Sequence, residues 1–368
     1  MAGSTHGEQH EPARPAVHPA VVGARRVVGL YGDPDVTWSV LVAVRLRAGQ
    51  DPGVLRERLV ALVEQFPHLG VAPDVARFEP DHEGPVLDAF ANEPYADQGP
   101  LLRVALSADG RDVLLAAHHG VVDGLGLLGA ASRVLDIPLP SSARGIRRTA
   151  EPRGFLRRAV GRLVEALLRP PARVQGDLDA AHEPGDWLVA RTVVAARPGS
   201  AALVRTAVDV VRRTNGARDH RHLVVSMGLS RRPGTPAPAP DRDTAYVRLR
   251  ADRVGSTVDA REVIEATRPE PAFPVSDGGG LGPRVVRLLS RRLGATVLVS
   301  NLGRIDSPEV ESVRFWPVPT GPAGVCLGLA STPTSTTLTV RARRGWFSRQ
   351  ATELLGDAAA VALVEAAG

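Results

Sequence analysis

The chain has 368 residues, 43% of them hydrophobic and 23% charged, which is ample material for a buried core and, by length, for two domains. Its formal charge of +5 rests on 45 basic residues that are all arginine, beside 37 glycines and 31 prolines. That pattern reads as codon bias, and with 4% aromatic residues there is no base-stacking platform, so nucleic-acid binding is not expected.

Charged residues interrupt every long apolar run, so no membrane span is expected. The first twenty residues lack the apolar segment of a secretion signal. The single Cys326 cannot form an internal disulfide, which points to a reducing, cytoplasmic setting. It lies in the apolar run Gly324-Val325-Cys326-Leu327 and reads as a buried small hydrophobe, not a nucleophile.

Residues 1–25 read as a disordered tail. A first lobe is expected over 26–175. It opens with a strand at 36–48, where Val40, Val42 and Val44 alternate with Leu41, Ala43 and Arg45. Asp51-Pro52 then caps a helix whose stripe is Leu55, Leu59, Leu62, Val63 and Phe66, closed by Pro67. Strands follow at 101–107 and 112–119, and an amphipathic helix at 155–168. Residues 170–186, rich in Pro, Gly and Asp, read as a connection.

The second lobe, 185–368, begins with a strand at 187–195 and a helix at 200–214 that stops at Asn215-Gly216. Strands are expected at 222–229, 244–250, 296–301, 324–331 and 336–343, with a final helix from Ser348 to about Ala366. Strands and helices are mixed without regular βαβ alternation, so the fold class is α+β with mixed or antiparallel sheets.

The informative segment is His118-His119-Gly120-Val121-Val122-Asp123-Gly124. It ends an apolar strand, in which neighbouring side chains face opposite ways, so only one of the two histidines can face a given cavity. Leu125, Leu128, Ser132 and Leu135 then take up helical spacing, which makes the motif a strand-to-helix turn with two glycines, where backbone can approach a substrate closely. A histidine titrates near neutrality and can take a proton from an attacking amine or hydroxyl. There is no Gly-x-Ser-x-Gly elbow, so a covalent acyl-enzyme is not expected. Asp123 reads either as the N-cap of the following helix or as a loop-holding carboxylate that requires a cation. Adjacent histidines that point apart, with no third ligand at sensible spacing, give no metal site.

These residues match the HHxxxDG motif of nonribosomal-peptide condensation domains, within the coenzyme A-dependent acyltransferase superfamily with the chloramphenicol acetyltransferase-like fold. Gly99-Pro100-Leu101-Leu102-Arg103-Val104, Phe66-Pro67-His68-Leu69, Val224 to Pro233 and Ser300-Asn301-Leu302-Gly303 resemble further family segments. The resemblance runs from about residue 25 to 366. It implies two lobes in a V with the active site in a tunnel between them. His119 is then the catalytic histidine, with His118, Asp123 and Gly124 completing the motif.

By the same resemblance Asp123 pairs with Arg232, or with Arg231, and Ser300 and Asn301 line the substrate tunnel. The implied reaction joins an acyl thioester to a small-molecule amine or alcohol in specialised-metabolite biosynthesis. The phosphopantetheine thioester donor sits on CoA or on an acyl or peptidyl carrier protein, and no cofactor is held. Cyclisation or epimerisation of a tethered intermediate, or a non-catalytic scaffold, are the alternatives on the same fold. His118 and Asp123 also satisfy the H-x4-D spacing of glycerolipid acyltransferases, but without that family's other segments. Gly278 to Pro283 reads as a flexible loop, since it lacks P-loop residues. The arginines of 153–162 and 284–292 read as solvated faces that could also dock an acidic carrier protein.

Overall fold

The computed structural model describes residues 16–29, 36–143, 145, 155–177, 183–193, 198–216, 222–232, 238–270, 275, 289, 292–319 and 323–368, the side chains of 155–159 excepted. The strands in chain order are β1 (Ser39–Leu46), β2 (Val75–Phe78), β3 (Leu102–Ser107), β4 (Asp112–His118), β5 (Asp186–Val193), β6 (Val224–Ser230), β7 (Thr244–Arg250), β8 (Val297–Arg304), β9 (Val310–Trp316), β10 (Val325–Ser331) and β11 (Thr336–Arg343). The helices are α1 (Pro19–Val28), α2 (Pro52–Gln65), α3 (Glu83–Asn92), α4 (Gly124–Leu135), α5 (Phe155–Leu168), α6 (Ser200–Asn215), α7 (Thr257–Ala266) and α8 (Arg349–Ala367).

They build two mixed sheets, one ordered β2-β3-β4-β1-β9 and the other β5-β11-β10-β8-β6-β7. In the first sheet only β2 and β3 run parallel. In the second, β8 runs parallel to both β10 and β6. The α+β class expected from the mixture of elements is the architecture found.

The central strands are apolar on both faces because both faces are covered. Val40, Val42 and Val44 of β1 enter a core shared with α1, α2 and α4, while Leu41 and Ala43 pack with Phe90 and Trp316 on the other side. Removing such side chains from water is the main favourable term in the fold. Helix α2 is capped as its sequence indicates. Asp51 Oδ1 accepts the Gly53 and Val54 N–H groups at 2.8 and 3.0 Å, with Pro52 at the first helical position.

Two features depart from the expected layout. Helix α1 begins at Pro19, inside the segment read as a tail, because Val21, Ala24 and Val28 form a buried stripe under a polar exterior. Strand β9 lies late in the chain but completes the first sheet, pairing antiparallel with β1 from Leu41–Trp316 to Leu46–Val310. The two sheets therefore do not divide cleanly at residues 175–185. Strand β2 and helices α3 and α7 were likewise not among the expected elements, although Ser256 and Asp259 form a capping box at the start of α7. The loop at Gly278 to Pro283 and three of the four arginines of 284–292 lie outside the described residues. Arg162 makes an ion pair with Glu270 at 2.7 Å.

Where the sheets meet, Arg341 of β11 is 1% exposed. Its Nε donates to Asp186 at 2.7 Å, and its terminal nitrogens donate to the carbonyls of Ser39 and Ala91. One guanidinium thus ties β5 and β11 to β1 and α3. Cys326 is fully buried in β10 and donates to the Pro317 carbonyl, and burial pushes its thiol pKa well up. Among the described residues, no helix is long and apolar enough to cross a membrane.

Candidate functional site

Strand β4 delivers the motif to the junction of the two sheets. His119 N–H donates to the Trp38 carbonyl at 2.6 Å, and Val121 N–H returns to the His118 carbonyl at 2.9 Å, so the chain turns sharply after the strand. Trp38 adopts φ 60, a left-handed conformation that a bulky residue takes only when its surroundings enforce it.

The motif's glycines leave room for protein rather than for a ligand alone. A Cβ at Gly120 would lie 2.2 Å from the Ala24 carbonyl oxygen of α1, and one at Gly124 would lie 2.7 Å from the Phe315 ring. Along α4, a Cβ added at Gly126 or Gly129 would likewise collide with the carbonyl of Asp241 or Pro238. The helix can therefore lie directly on the segment that leads into β7.

The two histidines diverge, as strand alternation requires. His118 is buried, packs edge-on against Tyr95 with ring centroids 5.3 Å apart, and accepts the Gly120 N–H on Nδ1 at 3.0 Å. Burial, with the neighbouring His119 and Arg25 charges, lowers its pKa to about 3, so it is a neutral brace for the turn. His119 is half-buried and faces the second sheet. Its Nδ1 lies 3.0 Å from the Val122 carbonyl, which can only accept, so the ring carries its proton on Nδ1. Nε2 is left with a bare lone pair, and the Tyr246 hydroxyl donates to it at 3.0 Å. Burial and then the Arg242 charge lower the His119 pKa to about 4, so the ring is neutral at pH 7.

Asp123 fulfils both of its sequence readings. It is the N-cap of α4, with Oδ1 accepting the Gly126 N–H at 2.7 Å. It also receives Arg232 Nη1 on both oxygens, at 2.9 and 3.1 Å. Oδ2 further accepts the Asp243 N–H at 2.8 Å and the Thr244 hydroxyl at 2.6 Å. Burial alone would raise the carboxyl pKa, but Arg232 and these donors hold it below the usual value. Arg232 reaches on to the Asp241 carbonyl at 2.7 Å and to its carboxylate. Of the two arginines it is Arg232 that pairs with Asp123, while the Arg231 backbone N–H joins the Asp243 carbonyl at 2.9 Å.

A cavity of about 490 Å³ opens beside this lock. Its walls come from both parts of the fold: Asp123, Gly124 and Leu125 on one side, and Gly228, Ser230, Thr244, Ser300 and Asn301 on the other. His119 is not among its lining residues. The segment Ser300-Asn301-Leu302-Gly303 is part of β8, where the pairing with β10 shifts register. Asn301 Oδ1 accepts the Gly303 N–H at 2.8 Å. Gly303 takes φ 78, and a Cβ there would meet the Ala143 nitrogen at 2.5 Å. The Ser300-Gly228-Tyr246 row crosses β8, β6 and β7 in register. Gly228, having no side chain, leaves a gap between Tyr246 and Ser300.

Sequence reasoning did not single out Arg242, Thr244 or Tyr246. A signal existed: in the strand expected at 244–250, Thr244, Tyr246 and Arg248 alternate with Ala245, Val247 and Leu249, a strand with one buried face. What was illegible was that its polar face meets His119 and Asp123, more than a hundred residues away.

No family model matches the sequence, and no curated protein matches it. The fold is that of condensation domains in solved structures. The first condensation domain of the calcium-dependent antibiotic synthetase, in complex with a substrate analogue, is 17% identical with a TM-score of 0.61, over 97% of this chain and 98% of that one. The starter condensation domain of rhizomide synthetase, in complex with C8-CoA, is 14% identical with a TM-score of 0.58, over 96% and 95%. The epimerization domain from the third module of tyrocidine synthetase B is 15% identical with a TM-score of 0.52, over 98% of each chain.

Proposed function

We propose that this chain joins an acyl thioester to an amine or alcohol acceptor, with His119 as general base. The observation that supports this most is the fixed tautomer. The Val122 carbonyl takes the Nδ1 proton, so the only basic lone pair of the ring is Nε2, aimed across the junction of the two sheets. The solved condensation domain with C8-CoA bound favours a pantetheine thioester as donor, on CoA or on a carrier protein. The cavity beside Asp123, with Ser300 and Asn301 in its wall, is the passage we assign to the substrate.

In this reading the acceptor nitrogen or oxygen attacks the thioester carbonyl while its proton passes to Nε2. The Tyr246 hydroxyl, which holds that lone pair in the resting site, gives way to the acceptor. The tetrahedral intermediate then collapses, the carbon–sulfur bond breaks, and the departing thiolate takes the proton back from His119. Asp123 takes no part in the proton transfer. Locked by Arg232 and three other donors, it holds the turn that presents the imidazole. His118 braces the same turn from the opposite face.

The test is incubation of the protein with a panel of acyl-CoAs, acyl-N-acetylcysteamine thioesters, amines and alcohols, read by product mass. His119→Ala is expected to lower turnover by about a hundredfold or more, the usual range for a general base. Retention of full rate by that variant would overturn the assignment. A product of unchanged mass with inverted configuration would instead identify epimerisation, the activity named for the tyrocidine domain.

A further inference from the structure

One cation at the site is left unused by the mechanism above. Thr244 and Tyr246 leave β7 on the face that meets Asp123 and His119, while Ala245 and Val247 point into the opposite core. The ladder with the preceding strand continues one residue further, through the Arg231 N–H and the Asp243 carbonyl at 2.9 Å. In an extended chain the next side chain on the Thr244–Tyr246 face is therefore that of Arg242.

Its backbone is pinned on both sides. The Asp241 carbonyl receives Arg232 at 2.7 Å, and the Asp243 N–H donates to Asp123 at 2.8 Å. The guanidinium is close enough for its charge to act on both His119 and Tyr246. Yet Arg242 Nε is buried with no hydrogen-bond partner among the described residues. The carboxylates of Asp123 and Asp241 are both taken by Arg232. A buried charged donor without a partner is costly and calls for a reason. A planar guanidinium fork matches a carboxylate.

We propose that Arg242 is the binding residue for a carboxylate carried by the substrate, seating that anion beside His119. This rests on the acyl-transfer reading of the site. It deepens that reading by naming the substrate class: either an amino-acid-like acceptor with a free carboxylate, or a dicarboxylate half-thioester donor. Occupancy would also change the base. The Arg242 charge is the main charge–charge influence holding the His119 pKa down. An anion on the guanidinium offsets that charge, so binding the substrate makes the imidazole a stronger base when the acceptor is in place.

The test uses the full chain, isothermal titration and ¹⁵N-histidine NMR of the His119 ring, with two matched probe pairs. Glycine against glycinamide represents the acceptor. Succinyl-N-acetylcysteamine against its terminal amide represents the donor. The expected result is that at least one carboxylate binds about tenfold or more tighter than its amide, the preference a charged hydrogen bond confers, and shifts the His119 titration upward. Arg242→Gln should erase that preference, and Arg242→Lys should recover part of it. The pair that responds identifies which substrate carries the anion.

Three results would each overturn the proposal: equal affinity for carboxylate and amide in both pairs, no binding of any probe, or a carboxylate preference that survives Arg242→Gln. A loss of turnover in Arg242→Gln that is uniform across carboxylate and amide substrates would likewise refute it. The His119→Ala variant separates the two readings. If it keeps both the carboxylate preference and full turnover, the base assignment falls while the Arg242 site stands.

Discussion

Replacing Asp123 by Asn is the sharpest probe of how this site is held together. The carboxylate receives five hydrogen bonds within 3.1 Å, from Gly126, Arg232 on both oxygens, Asp243 and Thr244. It is 3% exposed, and Arg232 is 9% exposed. An asparagine oxygen in place of Oδ1 keeps the Gly126 bond and the 2.9 Å Arg232 bond, but the carboxylate charge is lost and the amide group confronts the Asp243 N–H, donor against donor. Arg232 would then have Asp241 alone as an anionic partner, and that side chain is half in solvent.

Breaking a buried pair by removing one partner costs about 3–5 kcal/mol. Against a total stability of about 5–15 kcal/mol, that is a large share. Urea unfolding followed by circular dichroism should show it as a lower midpoint with unchanged slope. Arg232→Gln should cost a similar amount. The double variant should cost little more than either single one, leaving a coupling energy of about 2 kcal/mol or more.

The pH dependence has a definite sign. The folded pKa of Asp123 is depressed, so its stabilisation is fully present above the unfolded value of about 3.9. It is lost as pH falls through the lower folded value. The deficit of Arg232→Gln relative to wild type should therefore stay flat from pH 7 to 5 and shrink only at more acid pH. A cost of Asp123→Asn under about 1 kcal/mol, or strictly additive single effects, would show that the pair is not the unit described.

Three further outcomes follow from the same geometry. His118 and His119 have folded pKa values of about 3 and about 4, below the ordinary 6.5, so their contribution is present above that value and lost as pH falls from it. Between pH 6.5 and 4 the unfolding free energy from urea titration should drop, by up to about 1.4 kcal/mol per pH unit for each histidine; His118→Gln should flatten the slope, and a constant wild-type stability would contradict it. Gly120→Ala places a methyl group against the Ala24 carbonyl and should cost about 1–3 kcal/mol, with faster amide exchange in α1; unchanged protection of residues 19–28 would count against that packing. Arg341→Met strands Asp186 and the Ser39 and Ala91 carbonyls in the interior and should cost about 3–5 kcal/mol by chemical denaturation, whereas a near-neutral result would remove Arg341 as the tie between the sheets.

Local pattern carried the reading furthest where local pattern is what matters. Helix α2 was legible because Asp51, Pro52 and the stripe Leu55-Leu59-Leu62 act within a few residues of one another. Strands β1 and β4 were legible because sheets covered on both faces produce continuous apolar runs. Helix α1 was missed because its buried stripe of Val21, Ala24 and Val28 sits among His, Pro and Arg. Its docking partner, Gly120, lies nearly a hundred residues downstream. Strand β9 was missed for a related reason: its pairing with β1 spans most of the chain, and no local signal encodes so distant a partner.

The site divides the same way. The order His118-His119-Gly120-Val121-Val122-Asp123-Gly124 was enough to place two diverging histidines at the end of a buried strand and a carboxylate in need of a cation, because backbone alternation and the cost of a buried charge are local facts. The folded turn sets the His119 proton through the Val122 carbonyl, but that Tyr246 meets the other nitrogen and that Arg242 brings an unmatched charge alongside were decided only when β4 and β7 met across the two sheets. Contacts between segments so far apart depend on how the whole chain packs, and electrostatics at a buried group depends on every charge that packing brings near it.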